Sequence, residues 1–112
     1  MCGWDVNLKM KDHNKPVGDD MWQSADEAAG VLKALSNPSR LLLLCKLAEG
    51  EHTVSELERS LGLGQAYVSQ QLAKLREDGL VAATRDGRQM RYRLSDPRVT
   101  PLIQTIYDQF CT

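Results

Sequence analysis

The stretch Thr53-Val54-Ser55-Glu56-Leu57-Glu58-Arg59-Ser60-Leu61-Gly62-Leu63-Gly64-Gln65-Ala66-Tyr67-Val68-Ser69-Gln70-Gln71-Leu72-Ala73-Lys74-Leu75-Arg76-Glu77-Asp78-Gly79 decides the fold. Thr53 and Glu56 match a capping box, in which hydroxyl and carboxylate each satisfy a backbone N–H at a helix start. A short helix follows to about Leu61, and Gly62-Leu63-Gly64 makes a tight turn. A longer helix then runs from about Gln65 to Asp78. Val68, Leu72 and Leu75 recur at helical spacing and face inward, while Gln65, Tyr67, Ser69, Gln70, Gln71 and Lys74 are expected outward. Gly79 supplies the left-handed stop. A short helix, a glycine-containing turn and a helix with a polar outer face form a helix-turn-helix, the arrangement that major-groove insertion needs.

Beyond Gly79, Leu80 to Thr84 and Gln89 to Leu94 read as strands joined around Asp86-Gly87, a hairpin signal. Met90, Tyr92 and Leu94 alternate with Arg91 and Arg93, giving one apolar and one basic face. Asp96-Pro97 opens a last helix that gathers Leu102, Ile103, Ile106, Tyr107 and Phe110 on one side. On the N-terminal side, Asn37 is a good cap and Pro38 suits the first helical position. The helix from Pro38 to about Ala48 carries Leu41, Leu44, Cys45 and Ala48 on one face. Leu42, Leu43 and Leu47 widen that stripe until nearly all of it is apolar, which places it in the middle of the fold. Ser24 precedes a first helix with Ala25, Ala28, Leu32 and Leu35 aligned. Residues 1–20 show no period and read as a loosely ordered arm before one domain, 21–112. The fold class is mainly α with a small β-hairpin, a winged helix-turn-helix. Its first and last helices carry more apolar surface than a 112-residue core absorbs, which predicts a two-fold dimer through them.

Composition narrows the function classes. Apolar residues make up 42% and charged residues 26%, a globular balance. Aromatics at 5% are too few for stacking platforms along single-stranded nucleic acid. No apolar run approaches a membrane span and the N-terminus lacks a signal-peptide core, so a soluble, cytoplasmic protein with no membrane partner is expected. The net charge of −1 argues against a general nucleic-acid coat, but its distribution is uneven. Residues 74–93 hold six basic side chains against three acidic ones, and every positive excess lies there. Arg85, Arg88, Arg91 and Arg93 would neutralise phosphates beside the polar helix, whose Gln and Ser side chains suit base edges. A merely solvated helix face is the bland reading, and the adjacent basic hairpin weighs against it.

Three cysteines, Cys2, Cys45 and Cys111, are too few and too scattered for a disulfide framework. With only His13 and His52 and no CxxC, a zinc finger or ribbon is excluded. No nucleophile motif or phosphate-binding glycine loop points to an enzyme, and no cofactor is expected. Cys45, inside Leu41-Leu42-Leu43-Leu44-Cys45, reads by its context as a small buried hydrophobe. Cys111, at the end of the last helix, is more open to reaction. Whether the fold brings these two together is left open by their spacing.

Leu35-Ser36-Asn37-Pro38-Ser39-Arg40-Leu41, the stretch from Leu63 through Val81, and Arg85-Asp86-Gly87-Arg88-Gln89-Met90-Arg91-Tyr92-Arg93-Leu94 together resemble the ArsR/SmtB family of bacterial repressors. The resemblance covers about residues 22 to 111. It implies a homodimeric repressor on double-stranded operator DNA with an inverted repeat, released by an inducer. Carried over by position, base contacts fall to Gln65, Ala66, Ser69 and Gln70, and phosphate or minor-groove contacts to Arg85, Arg88 and Gln89. Many members have Ser where this chain has Ala66 and His where it has Gln70. The family's thiolate metal site would fall near Val54 and Ser55, and the last helix offers Asp96 and Asp108 without His, so no metal site is expected. Cys45 and Cys111 are similarly placed to the thiols of the persulfide-responsive branch, which represses sulfide-detoxification genes. That likeness implies a redox-sensing pair joined by a polysulfide bridge when a persulfide or polysulfide acts as inducer. Peroxide or disulfide stress, or arsenite held by Cys2, Cys45 and Cys111, are the alternatives with the same thiols. A sulfur-transfer carrier or a protein-interaction module are alternatives from other classes.

Overall fold

The computed structural model describes residues 16–111. Two compact units divide the chain, one ending at Lys33 and the other beginning at Ala34. In the first unit, α1 (Asp19–Leu35) begins five residues before Ser24. Asp19 and Asp20 occupy its first turn, where the helix dipole favours negative charge. Ser24 does not cap: its Oγ donates to the Asp20 carbonyl at 2.9 Å, the back-bond of a serine inside a helix. The expected arm therefore loses Asp19 and Asp20 to the helix, and residues 1–15 of it, Cys2 included, lie outside the described residues. Trp22 and Leu32 remain largely exposed on α1.

The second unit holds the core. After the last two residues of α1, the elements are α2 (Pro38–Glu49), β1 (His52–Thr53), α3 (Val54–Leu61), α4 (Gln65–Glu77), β2 (Val81–Asp86), β3 (Gln89–Leu94) and α5 (Val99–Phe110). Asn37 starts α2 as the composition of the turn predicts, its Oδ1 accepting from the Ser39 and Arg40 amides at 2.9 and 3.1 Å. Leu43, Leu44 and Leu47 of α2 are buried together with Leu57 of α3, Val68, Leu72 and Leu75 of α4, Leu80, Val81, and Val99 and Ile103 of α5. Leu42 departs from the all-round burial expected of α2, with half of its surface exposed. Its direction on the helix points away from the core formed by Leu43, Leu44 and Leu47.

The capping box closes α3 in both directions. Thr53 Oγ1 accepts from the Glu56 amide at 3.2 Å, and Glu56 Oε1 accepts from the Thr53 amide at 2.8 Å. That second bond, joined by the nearby Arg91 and His52 charges, holds the Glu56 carboxyl below its usual range. Thr53 belongs at the same time to β1, a strand of two residues absent from the sequence reading. Its pairing is non-local: His52 lies opposite Tyr92 and Thr53 opposite Arg91. The sheet is antiparallel with order β1-β3-β2.

α4 ends in a corner that ties four elements together. The Gly79 amide donates to Arg76 O and the Leu80 amide to Leu75 O, both at 3.0 Å, the paired bonds of a Schellman stop. Gly79 takes a φ of 77°, which suits glycine, and Leu75 and Leu80 are both buried beneath it. On the far side, the Ser95 amide donates to Leu80 O at 3.0 Å and Ser95 Oγ to Gly79 O at 2.9 Å. β2 runs two residues further than expected because Arg85 pairs with Met90 and Asp86 with Gln89. The turn is thus Gly87-Arg88, with Gly87 at φ 65° in the first central position. α5 begins at Val99 rather than at Asp96-Pro97, because the Asp96 carboxylate accepts from the Arg98 amide at 3.0 Å in a preceding turn.

Gly79→Ala will cost about 1–2 kcal/mol by forcing a Cβ into the left-handed region, since nothing stands within 4 Å of that Cβ and no clash contributes. Gly30→Ala, inside α1 with equally open space, will stabilise by up to about 1 kcal/mol. Urea unfolding of both variants checks the contrast, and equal effects would contradict it.

Candidate functional site

Burial splits α4 lengthwise. Val68, Gln71, Leu72 and Leu75 are buried, and Gln65, Ala66, Tyr67, Ser69, Gln70, Ala73 and Lys74 are exposed. Four of the expected site residues, Gln65, Ala66, Ser69 and Gln70, therefore share the open side of the first two turns. Gly64 caps α4 without a side chain, so the first amides of the helix are left to whatever approaches from solvent. Positive potential at that end favours an anion.

Gln71 corrects the expected polar face. It is one of only two buried polar residues among those described, with 7% of its surface exposed. It sits three residues after Val68 and four before Leu75, so its place on the apolar stripe was available from the spacing. The Arg40 guanidinium reaches it from α2, Nη1 donating to Oε1 at 3.4 Å. Arg40 was not singled out from the sequence either, because nothing local predicts a contact across 31 residues.

The hairpin sorts its arginines into two kinds. Arg91 Nε donates to the Asp86 carboxylate at 2.9 Å, and Arg93 donates to Thr84 Oγ1 at 2.6 Å. Those two guanidiniums brace β2 against β3, and the charge of Arg91 is already met by Asp86 inside the hairpin. Arg85 bends to the Gly87 carbonyl at 3.5 Å, a weak contact. Arg88 and Gln89, at the turn, are exposed and have no side-chain partner among the described residues. Within the hairpin, the cation most available to a ligand is therefore Arg88.

A second group lies between α2 and α5. Cys45 is half-buried on α2, Cys111 is exposed just after α5, and both are free thiols. The Cys111 amide donates to Tyr107 O at 2.8 Å and fixes the residue to the helix end. Burial pushes the Cys45 thiol up, and the negative charges of Cys111 and Glu49 add to the shift. α5, which ends just before Cys111, packs against α2, the helix that carries Cys45. Lys46, the nearest cation in sequence, is in a surface pair with Glu49 at 3.5 Å. Among the described residues, no three His, Cys, Asp or Glu groups are placed to hold a metal ion. No helix among them is long and apolar enough to cross a membrane.

Comparison with known proteins places this geometry in context. Residues 37–83 match the family described as "Bacterial regulatory protein, arsR family". A biofilm growth-associated repressor of Xylella fastidiosa (strain Temecula1) is 44% identical over 106 residues, 93% of each chain. The crystal structure of the transcriptional repressor BigR from Xylella fastidiosa superposes with a TM-score of 0.78 at 44% identity, covering 87% of this chain and 99% of that one. Reduced HlyU from Vibrio cholerae superposes with a TM-score of 0.79 at 36% identity, covering 83% and 98%.

The thiols differ in exposure and environment, so iodoacetamide at neutral pH will label Cys111 before Cys45. Glu49→Gln removes one of the charges that raise Cys45 and will speed its labelling. Peptide mass mapping at timed intervals reads both rates. Faster labelling of Cys45 than of Cys111 in the unaltered protein would contradict the assignment.

Proposed function

The chain belongs to the arsR family of bacterial regulatory proteins, and from that premise we propose a homodimeric repressor that leaves its operator when persulfides link Cys45 to Cys111. The family makes it a DNA-binding transcriptional regulator and not an enzyme. The observation that supports the finer reading is the packing of α5, which ends just before Cys111, against α2, which carries Cys45, with both thiols free. Exposed apolar residues support the dimer: Tyr107 and Phe110 on α5 and, in its own unit, Trp22 and Leu32 on α1. A two-fold axis would set two copies of α4 at successive major grooves of an inverted repeat.

In this reading Gln65, Ser69 and Gln70 meet base edges, with Ala66 allowing close approach. Arg85, Arg88 and Gln89 meet the backbone or the minor groove. The switch begins at Cys111. Its thiolate attacks the sulfane sulfur of glutathione persulfide, the sulfur–sulfur bond of the donor breaks, and glutathione thiolate leaves. Cys45 takes a second sulfur in the same way. The terminal sulfur of one protein persulfide then attacks the inner sulfur of the other and expels hydrosulfide, which carries off the two electrons. The product is a trisulfide between α2 and α5, with a longer reach than a disulfide. Pulling α5 toward α2 loads the Ser95 corner, and a coupling of about 1–3 kcal/mol weakens operator binding roughly 5–150-fold.

Operator binding before and after glutathione persulfide, with intact mass on the same samples, tests the reading. Release accompanied by a gain of one sulfur and loss of two hydrogens supports it. Loss of two hydrogens alone under peroxide would favour a disulfide sensor, and an arsenite adduct needing Cys2 would favour a metalloid sensor. Cys45→Ser will bind DNA normally when reduced but will not release it with persulfide. Gln70→Ala will cost about 1–3 kcal/mol of specific affinity. Arg88→Ala will weaken all sequences alike and lower the salt slope by about one; titrations at several salt concentrations separate the two behaviours.

A further inference from the structure

We infer that Arg40 is a positioning residue for operator recognition, setting the roll of α4 about its axis through Gln71 and thereby the sequence that the helix selects. The inference rests on the reading of α4 as the DNA-facing helix and is independent of the thiol switch. Three bonds define the device. The Arg40 amide is held by Asn37 Oδ1 at 3.1 Å at the start of α2. Its Nε donates to the Ala34 carbonyl in the last turn of α1 at 3.0 Å. Its Nη1 makes a long, weak hydrogen bond to Gln71 Oε1 at 3.4 Å. The side chain is half-buried, and its charge is drawn inward by two oxygens rather than displayed to a ligand.

Gln71 is the part of α4 on which a roll can be set. Leu72, Leu75 and Val68 make an apolar stripe, and apolar contact is non-directional, so it tolerates small rotations of a helix about its axis. A hydrogen bond is directional and does not. Gln71 follows Gln70 directly and lies two residues from Ser69, so about 100° of helix turn separates the anchored amide from Gln70. A rotation permitted by the loss of this anchor displaces Gln70 and Ser69 together along the groove. Bidentate base contacts are the interactions least tolerant of that displacement, whereas contacts to phosphates adapt.

The test uses the full-length protein, reduced, and the duplex it enriches from a randomised pool, with a scrambled duplex as the non-specific probe. For Arg40→Met and for Gln71→Leu, the ratio of specific to non-specific affinity should fall about tenfold, with the salt slope unchanged. Gln71→Glu, which keeps an acceptor for Arg40, should retain the ratio. The double variant Arg40→Met with Gln71→Leu removes both polar partners, so it should recover the thermal stability lost in either single variant without recovering the ratio. Recovery of the ratio together with stability would make Arg40 merely structural and overturn the inference. A salt slope lowered by about one in Arg40→Met would make it a phosphate contact instead and also overturn it. If the unaltered protein enriches no sequence, the operator reading of α4 falls, and the role of Arg40 falls with it.

Discussion

The corner after α4 is the constraint on which the rest of the second unit depends. One residue, Gly79, turns the chain out of the helix, and its carbonyl and that of Leu80 are both taken by Ser95 from the end of the hairpin. Three directions are settled at that point: that of α4, that of β2 leaving it, and that of the segment that leads from β3 into α5. The buried pair Leu75 and Leu80 gives the corner an apolar floor. A helix and a hairpin joined in this way cannot take independent orientations. The corner removes that independence with four short bonds.

The same corner explains how two chemically unlike regions share one small chain. α4 and the hairpin tip are polar and exposed, with Arg88 and Gln70 open to solvent. The thiols lie elsewhere, at α2 and just after α5, in surroundings whose burial pushes the Cys45 thiol up. α5 starts only four residues after Ser95, and the intervening turn is stiffened by the Asp96–Arg98 pair, whose hydrogen bonds hold the Asp96 carboxyl below its usual range. A displacement of α5 has little slack in which to dissipate before it reaches the corner. α2 reaches the other flank of α4 through Arg40. α4 is therefore held from α2, which bears Cys45, and through the corner from the segment leading into α5, which ends just before Cys111.

What could be read in the sequence was local, and what could not was long-range. Asn37 with Pro38, Thr53 with Glu56, and Gly79 each act within four residues of themselves, and each does in the structure what its residue type implies. The winged fold followed from their order. The two-residue strand His52–Thr53 escaped because its partners, Tyr92 and Arg91, are about forty residues away. Arg91 and Arg93 read as basic surface because alternation reports the face a side chain occupies, not whether Asp86 and Thr84 have already claimed it. Gln71 read as exposed because its polarity outweighed its position on the stripe. That α5, which ends just before Cys111, packs against α2, which carries Cys45, has no local signature at all.

The short strand β1 has a consequence for how the molecule survives at high concentration. Adding it makes β3 the inner strand, with partners on both sides, and leaves two edges. One edge is only two residues long, too brief to template another chain. The other is β2, whose outer half is Thr84-Arg85-Asp86, polar or charged and exposed. A second molecule offering a strand there would have to bury both charges. The sheet is thereby guarded against growing into fibrils, and the exposed Arg88 at its turn and the pair that keeps neighbouring copies apart belong to the same dozen residues.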